Sequence, residues 1–185
     1  MSVAFCAAWI NEVTLALPTD WTRDVPAENY DGDTIYLSTC WTSPHSTVTL
    51  TATVSSTGQS SADICCGNWS VETENLAPAA LAAAIAAATE YGAQPDVPDL
   101  SASFVGVSLT YHDWRGANYA NGPVEMRRWI SPDGNRTFDF ICRRKSGTSV
   151  FMIHRINAGH PEVEAAITAG SSTPAPILLS LAMSD

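Results

Sequence analysis

The sequence predicts an α+β fold: a mostly antiparallel β-sheet packed with one long and one shorter helix, in the manner of an α/β/α sandwich. Three observations carry this prediction. Apolar and hydroxyl residues alternate over STVTLTATV (46–54), as in a strand with one wet face. The alanine-rich run APAALAAAIAAATEYG (77–92) has the composition of a helix. In the second half, β-branched and aromatic segments are separated by short glycine-containing turns, which reads as a meander.

Taken in order, residues 3–10 are apolar and read as strand. Residues 12–17 follow as an alternating strand within VTLALPTDW (13–21), with Val13, Leu15 and Leu17 on the buried face. Pro18 stops it, and Trp21 lies over the core as a lid. The Pro, Asp and Gly content of 18–33 reads as loop. TIYLSTCW (34–41) and 46–54 are strands, the latter burying Val48, Leu50, Ala52 and Val54; ADICCGNWSVE (62–72) is another. The helix over 77–92 has Asn75 as N-cap, Pro78 in its first turn and Gly92 at its stop.

AQPDVPDL (93–100) is a proline-stiffened connector. Strands follow at 101–114, 123–130, 136–144 and 148–156, with SPDGN (131–135) and KSGT (145–148) as hairpin turns. HPEVEAAITAG (160–170) reads as the shorter helix, with Pro161 and two acids at its start and Gly170 at its end. The whole chain, 1–185, reads as a single domain with its core over about 3–172 and an apolar tail over 173–185. No internal repeat is visible.

Nine basic residues face nineteen acidic ones, a net charge of −10. Nucleic-acid binding wants clustered Lys and Arg, so this balance argues against it. No apolar run reaches the ~20 residues of a membrane span. The start MSVAFCAAWINEV lacks the basic region of a secretory leader, and five cysteines without such a leader read as reduced thiols in a cytoplasmic protein.

LALPTDW, TVTLTATV, AALAAAIAAATEYG, FVGVSLTYHDWRG, the meander from VEMRRWI to MIHRI, and PEVEAAITAGS follow one another in an order that resembles the PsbP/DcrB-like group. The resemblance spans most of 11–172 and rests on the order of elements. It implies binding rather than catalysis, since relatives serve as accessory subunits, lipoproteins and chaperones for apolar segments of secreted bacterial toxins. The leading expectation is therefore a cytoplasmic, non-enzymatic adaptor or chaperone whose partner is another protein, an effector or toxin or an apolar segment of one. A toxin-neutralising immunity protein is the near alternative, because an acidic surface suits a basic toxin.

The expected binding residues are Trp114, Arg127, Trp129 and Arg143. Arg127, Arg128, Arg136, Arg143, Arg144, Lys145 and Arg155 fall on three adjacent expected strands and could converge, and tryptophan beside arginine is a usual interface anchor. Alternation along 123–130 puts Arg127 and Trp129 on one face, Met126 and Arg128 on the other, so one set must lie outward. No cofactor, metal or catalytic residue is expected. His112, Asp113, His154 and His160 lack metal-ligand spacing, and Cys65, Cys66 and Cys142 read as structural. A small hydrolase or ligand-binding enzyme using His112, Asp113 or His154 is the alternative from another class, and requires two of them to meet in a pocket. A homodimer formed by strand addition of the tail, 177–183, is the third reading.

Overall fold

Helix and strand alternate here in two matching series. The computed structural model describes residues 3–44, 46–91, 98–156 and 164–184. The first series is α1 (Val3–Ala16), β1 (Thr22–Arg23), β2 (Ala27–Asp31), β3 (Thr34–Thr42), β4 (Val48–Ser55), β5 (Ser60–Cys66), β6 (Trp69–Glu74) and α2 (Pro78–Tyr91). The second is α3 (Pro98–Tyr111), β7 (Arg115–Asn121), β8 (Val124–Ile130), β9 (Arg136–Arg143), β10 (Ser149–Ile156), β11 (Glu164–Gly170) and α4 (Ala175–Met183). All eleven strands join one sheet, in the order β3-β4-β5-β6-β11-β10-β9-β8-β7, with β1 and β2 both on the outer edge of β3. Every pairing is antiparallel, including the β6–β11 junction where the two series meet.

Each series is thus a helix, a meander and a helix, and the two are related by an approximate two-fold axis at β6–β11. The expectation of no internal repeat is corrected here: the repeat lies in topology, not in letters. The helices pack side by side in the order α1-α2-α4-α3 over one face of the sheet. That face supplies Leu50, Ile64, Val71, Phe138, Phe151 and Ile167 to the core, all essentially buried. The sheet's other face carries no helix among the described residues.

The predicted arrangement of one long and one shorter helix is therefore overturned, although the chain is still α+β. Three helices have 14 residues and one has 9, and they form a single layer. The expected strands at 3–10 and 12–17 are one helix. Cys6, Ile10, Val13 and Leu17 are buried at spacings of four, three and four, whereas Leu15 is 86 % exposed, which fits a helical period and breaks a period of two. The same holds for 101–111 of the expected strand 101–114, where Ala102, Val105 and Leu109 are buried in α3. Conversely, 164–170 of the expected shorter helix is β11. Ala165, Ile167 and Ala169 alternate inward, and pairing to both β6 and β10 outweighs the helix propensity of alanine. Residues 160–163 of that expected helix lie outside the described ones.

Residues 62–72 turn back on themselves between β5 and β6 at Gly67, whose φ of +57° favours glycine. Part of the expected loop, 27–31, is β2, and β7 is a strand that the sequence did not announce. Asn75 is not an N-cap. It has φ +53°, its Oδ1 accepts the Ser60 N–H at 3.0 Å and its Nδ2 donates to the Glu164 carbonyl at 3.4 Å. Asn75 thereby ties β6 to its two neighbours. The apolar tail is helix α4 rather than an added strand, with Ile177, Leu178, Leu181 and Ala182 fully buried.

Close packing at the α3 flank depends on glycine. A Cβ on Gly106 would lie 2.4 Å from Trp129 Cζ2, and one on Gly116 would lie 3.1 Å from its Nε1. The indole therefore fits between helix and edge strand only because both positions lack a side chain. Gly106→Ala gains helix propensity but overpacks the indole, and the second effect dominates. The expected net loss is about 1–2 kcal/mol, read as a lowered urea midpoint with an unchanged m-value.

Charge divides the two series. Residues 1–97 carry eleven acidic residues and one basic one, Arg23, while residues 98–185 carry eight of each. The entire net charge of −10 therefore belongs to the first half.

Candidate functional site: the helix-free face of the sheet

Alternation decides which side chains reach the uncovered face. In β4 to β6 the residues opposite the core set are Thr49, Thr51 and Thr53, then Ser61, Asp63 and Cys65, then Ser70, Glu72 and Glu74. In the second half the same face receives Tyr119, Met126, Ile141 and Val150, which are successive partners across β7 to β10. Met152 stands beside Val150 on β10. These residues are only half-buried, apart from Tyr119 at 49 % exposure, and no described helix covers them. The face is thus polar and acidic on one half and apolar on the other.

Two pairs define its electrostatics. Asp63 and Glu72 are direct cross-strand partners, an arrangement that costs stability because like charges oppose each other. In the apolar half, Arg128 clasps Asp139 from the adjacent strand, Nε to Oδ1 at 2.7 Å and Nη2 to Oδ2 at 2.6 Å. The Asp139 side chain is 3 % exposed and that of Arg128 35 %, so this is a bidentate pair sunk into the surface. From Glu72 the register runs through Thr168 to Met152 and on to Asp139. Two strand spacings, about 10 Å, separate the acidic pair from the apolar patch.

Cys65 sits in the acidic half and is exposed. Partial burial pushes its thiol pKa up, and Asp63, Cys40 and Glu72 push it further the same way. Only the thiolate is a nucleophile. Cys65 is therefore expected to alkylate more slowly at pH 8 than an unperturbed thiol despite its exposure, and Asp63→Asn with Glu72→Gln should speed it. Mass spectrometry of iodoacetamide-treated protein reads both rates.

The residues expected from the sequence are placed as follows. Trp114 is 4 % exposed, with the Arg136 guanidinium 5.7 Å above its ring. Trp129 is half-buried beneath α3, edge-on to Phe138 at 5.8 Å. Arg127 lies 5.8 Å from the Phe140 ring on the same helix-side face. Arg143 is exposed at the end of β9, with the parity of the open face. The four do not converge on one surface. The set of 123–130 on the open face is Met126 and Arg128, not the Arg127 and Trp129 expected to bind.

The wider arginine group is dispersed too. Arg136 and Arg155, partners across β9–β10, reach the C-terminal end of α4. Arg155 Nη1 donates to the Ser184 carbonyl at 2.9 Å, its Nη2 donates to the Leu181 carbonyl, and Arg136 Nη1 donates to those of Met183 and Ser184 at 3.4 and 3.3 Å. Cations there satisfy carbonyls that lack helical partners and complement the helix dipole. Arg144 Nε donates to Glu125 Oε1 at 2.9 Å.

The His/Asp alternative is not assembled. His112 and Asp113 lie at the α3–β7 corner, Asp113 in a turn with φ +64°, while His154 is on β10, three strands from β7 and hence about 14 Å away in strand spacings. His154 Nδ1 lies 3.3 Å from Glu164 Oε1, on the wall of a hollow of about 410 Å³ that also holds Arg128, Asn135 and Thr137. Among the described residues no three His, Cys, Asp or Glu group as a metal site, and His160 lies outside them. No described helix is long and apolar enough to cross a membrane.

No protein-family model matches the chain, and no curated protein or solved structure matches it.

Proposed function

We propose that the chain is a non-catalytic protein-binding domain that docks its partner on the helix-free face of the sheet. The observation that carries this reading is the bare apolar patch around Met126, Ile141, Val150 and Met152, set beside a cross-strand pair of like charges, Asp63 and Glu72. A half-buried apolar sheet face gains by being covered. The acidic pair costs the free protein stability, and a basic partner would relieve that cost on binding.

The partner that fits is an apolar segment with a Lys or Arg about 10 Å from its apolar anchors. Such a partner suits an adaptor or chaperone for a secreted effector. A basic toxin bound by an immunity protein has the same chemistry. The acidic first half, with eleven acidic residues to one basic, would steer either one and make association fall with rising salt.

The test is co-purification of the tagged full chain from its source cells, repeated with Met152→Asp and with Asp63→Lys/Glu72→Lys. The reading expects one stoichiometric partner with the wild type, lost with the first variant and bound at least tenfold more weakly with the second. A partner retained by both variants at wild-type strength would place binding elsewhere. The sequence of the partner then separates effector from toxin.

A further inference from the structure

The sheet ends in two exposed edge strands of opposite charge. On β7, residues 115–120 are exposed and the register with β8 runs unbroken from Arg115 to Asn121. This strand has no proline, no bulge and one charge, Arg115, so it lacks the usual guards of a free edge. Behind it on β8 stands Arg127, the partner of Asn118, which makes no ion pair among the described residues. At the other edge all five residues of β2 are exposed. That strand carries Glu28 and Asp31, with Asp24 and Asp33 close on either side. The two backbones are set alike. Two-residue turns close β2–β3 at Asp31 and Thr34, and β7–β8 at Asn121 and Val124. A closing pair of this kind is hydrogen-bonded, and alternation then turns the N–H and C=O of Glu28, Tyr30, Gly116 and Asn118 away from the sheet. On both strands these are helix-side residues, since Glu28 partners Leu37 and Asn118 partners Arg127. Antiparallel alternation from β2 across to β7 also leaves the two strands running in opposite directions.

We propose that copies of this chain associate head to tail, β2 of one adding as an antiparallel strand to β7 of the next. The helix layers then lie on the same side, and the outward backbone groups of each edge meet those of the other. One register matches charge and size together. It sets Asp31 against Arg115 on the open face and Tyr30 against Gly116 on the helix side, where the ring covers a residue with no side chain. It also sets Glu28 against Asn118, about 10 Å from Arg127 in strand spacings, a gap these two long side chains span. Charge selects this pairing over the other two. Pairing β2 with β2 puts carboxylates beside carboxylates and joins two acidic halves, while β7 with β7 brings Arg115 no carboxylate from the edge strand. Head to tail, the acidic first half of one copy adjoins the second half of the next, which has eight residues of each sign. The contact is heterologous, so it repeats from copy to copy, and it leaves the open face uncovered. Five residue pairs fall well short of the roughly 20–30 residues a side of a standard interface, so the association is weak.

Sedimentation of the full chain from about 1 to about 500 µM tests this, a range that covers weak association. The expected result is a reversible, concentration-dependent series of species that continues past the dimer. Asn118→Pro removes an outward donor of β7 and Glu28→Pro one of β2, each sparing the bonds within its own hairpin. Either variant alone should be monomeric, and their equimolar mixture should stop at a one-to-one dimer, which has one intact edge of each kind. A wild-type monomer at the highest concentration overturns the proposal, as does a mixture that does not associate. Association of Glu28→Pro alone overturns it too, because β7 would then be pairing with itself. Charge reversal gives a check that does not depend on proline. Arg115→Asp should associate roughly tenfold more weakly than wild type, and adding Asp31→Arg to the same chain should restore association. The two positions lie at opposite edges of one sheet, so rescue comes only from contact between copies, and its absence overturns the pairing of Asp31 with Arg115. Partner capture on the open face uses neither edge, so this proposal and the proposed function fail separately.

Discussion

Removing residues 174–185 is expected to leave a chain that does not fold. By sequence this segment reads as a tail beyond the core, yet α4 lies between α2 and α3 at the centre of the helix layer. Ile177, Leu178 and Leu181 are each fully buried, and burying such a side chain contributes about 1.5–3 kcal/mol. The three together are worth roughly 5–9 kcal/mol, against a total stability of about 5–15 kcal/mol for a typical domain. Truncation would also remove α4 from its packing against β9 and β10, and leave Arg136 and Arg155 without the carbonyls they now bind. Far-UV circular dichroism and urea titration of the truncated chain should show no cooperative transition. Leu178→Ala, a milder change, should cost about 2–5 kcal/mol and keep the transition two-state. A truncated chain that unfolds cooperatively at the wild-type midpoint would show that α4 is an accessory.

The second large effect is expected at Arg128. Asp139 is buried on the open face, and both its oxygens accept from Arg128. Arg128→Met removes the cation and leaves a carboxylate facing a low-dielectric surface, which should cost about 3 kcal/mol. Arg128→Met combined with Asp139→Leu removes both charges and extends the apolar patch formed by Met126, Ile141 and Met152. Most of the loss should then be recovered, because replacing a buried ion pair by apolar groups of similar volume is often close to neutral. Urea midpoints of the two single variants and the double variant give the coupling directly. Additive losses would mean that the pair is not coupled.

The parts of the fold that were legible in the sequence are those set by local chemistry. SPDGN and KSGT turn where their glycines adopt positive φ, Gly134 at +77° and Gly147 at +66°, and the strands they join lie within a residue of the bounds the sequence predicts. Helix α2 was legible because alanine leaves no competing preference. Helices α1 and α3 were not, since Val13, Leu15 and Leu17 fit a period of two by coincidence, and Phe104, Val105 and Val107 are residues that favour strands. Tertiary packing overrode both. The spacing Cys6, Ile10, Val13, Leu17 was the signal available for α1. Nothing local announces the β6–β11 junction, where Val71 meets Ala169 from the far end of the chain, and the two-fold repeat follows from that pairing. For the same reason the open face could be read strand by strand, with Met126 and Arg128 on one side of β8, but not assembled. Its like-charge pair and its apolar patch meet only through that long-range register.

The most direct measurement is photo-cross-linking in the source cells, with a photoreactive residue placed at Thr168 or, separately, at Ala86. Thr168 lies on the open face between Glu72 and Met152, and Ala86 lies on the exposed side of α2 in the helix layer. Docking on the helix-free face predicts one defined cross-linked partner from Thr168 and none from Ala86. The same partner captured from Ala86, with Thr168 silent, would contradict it.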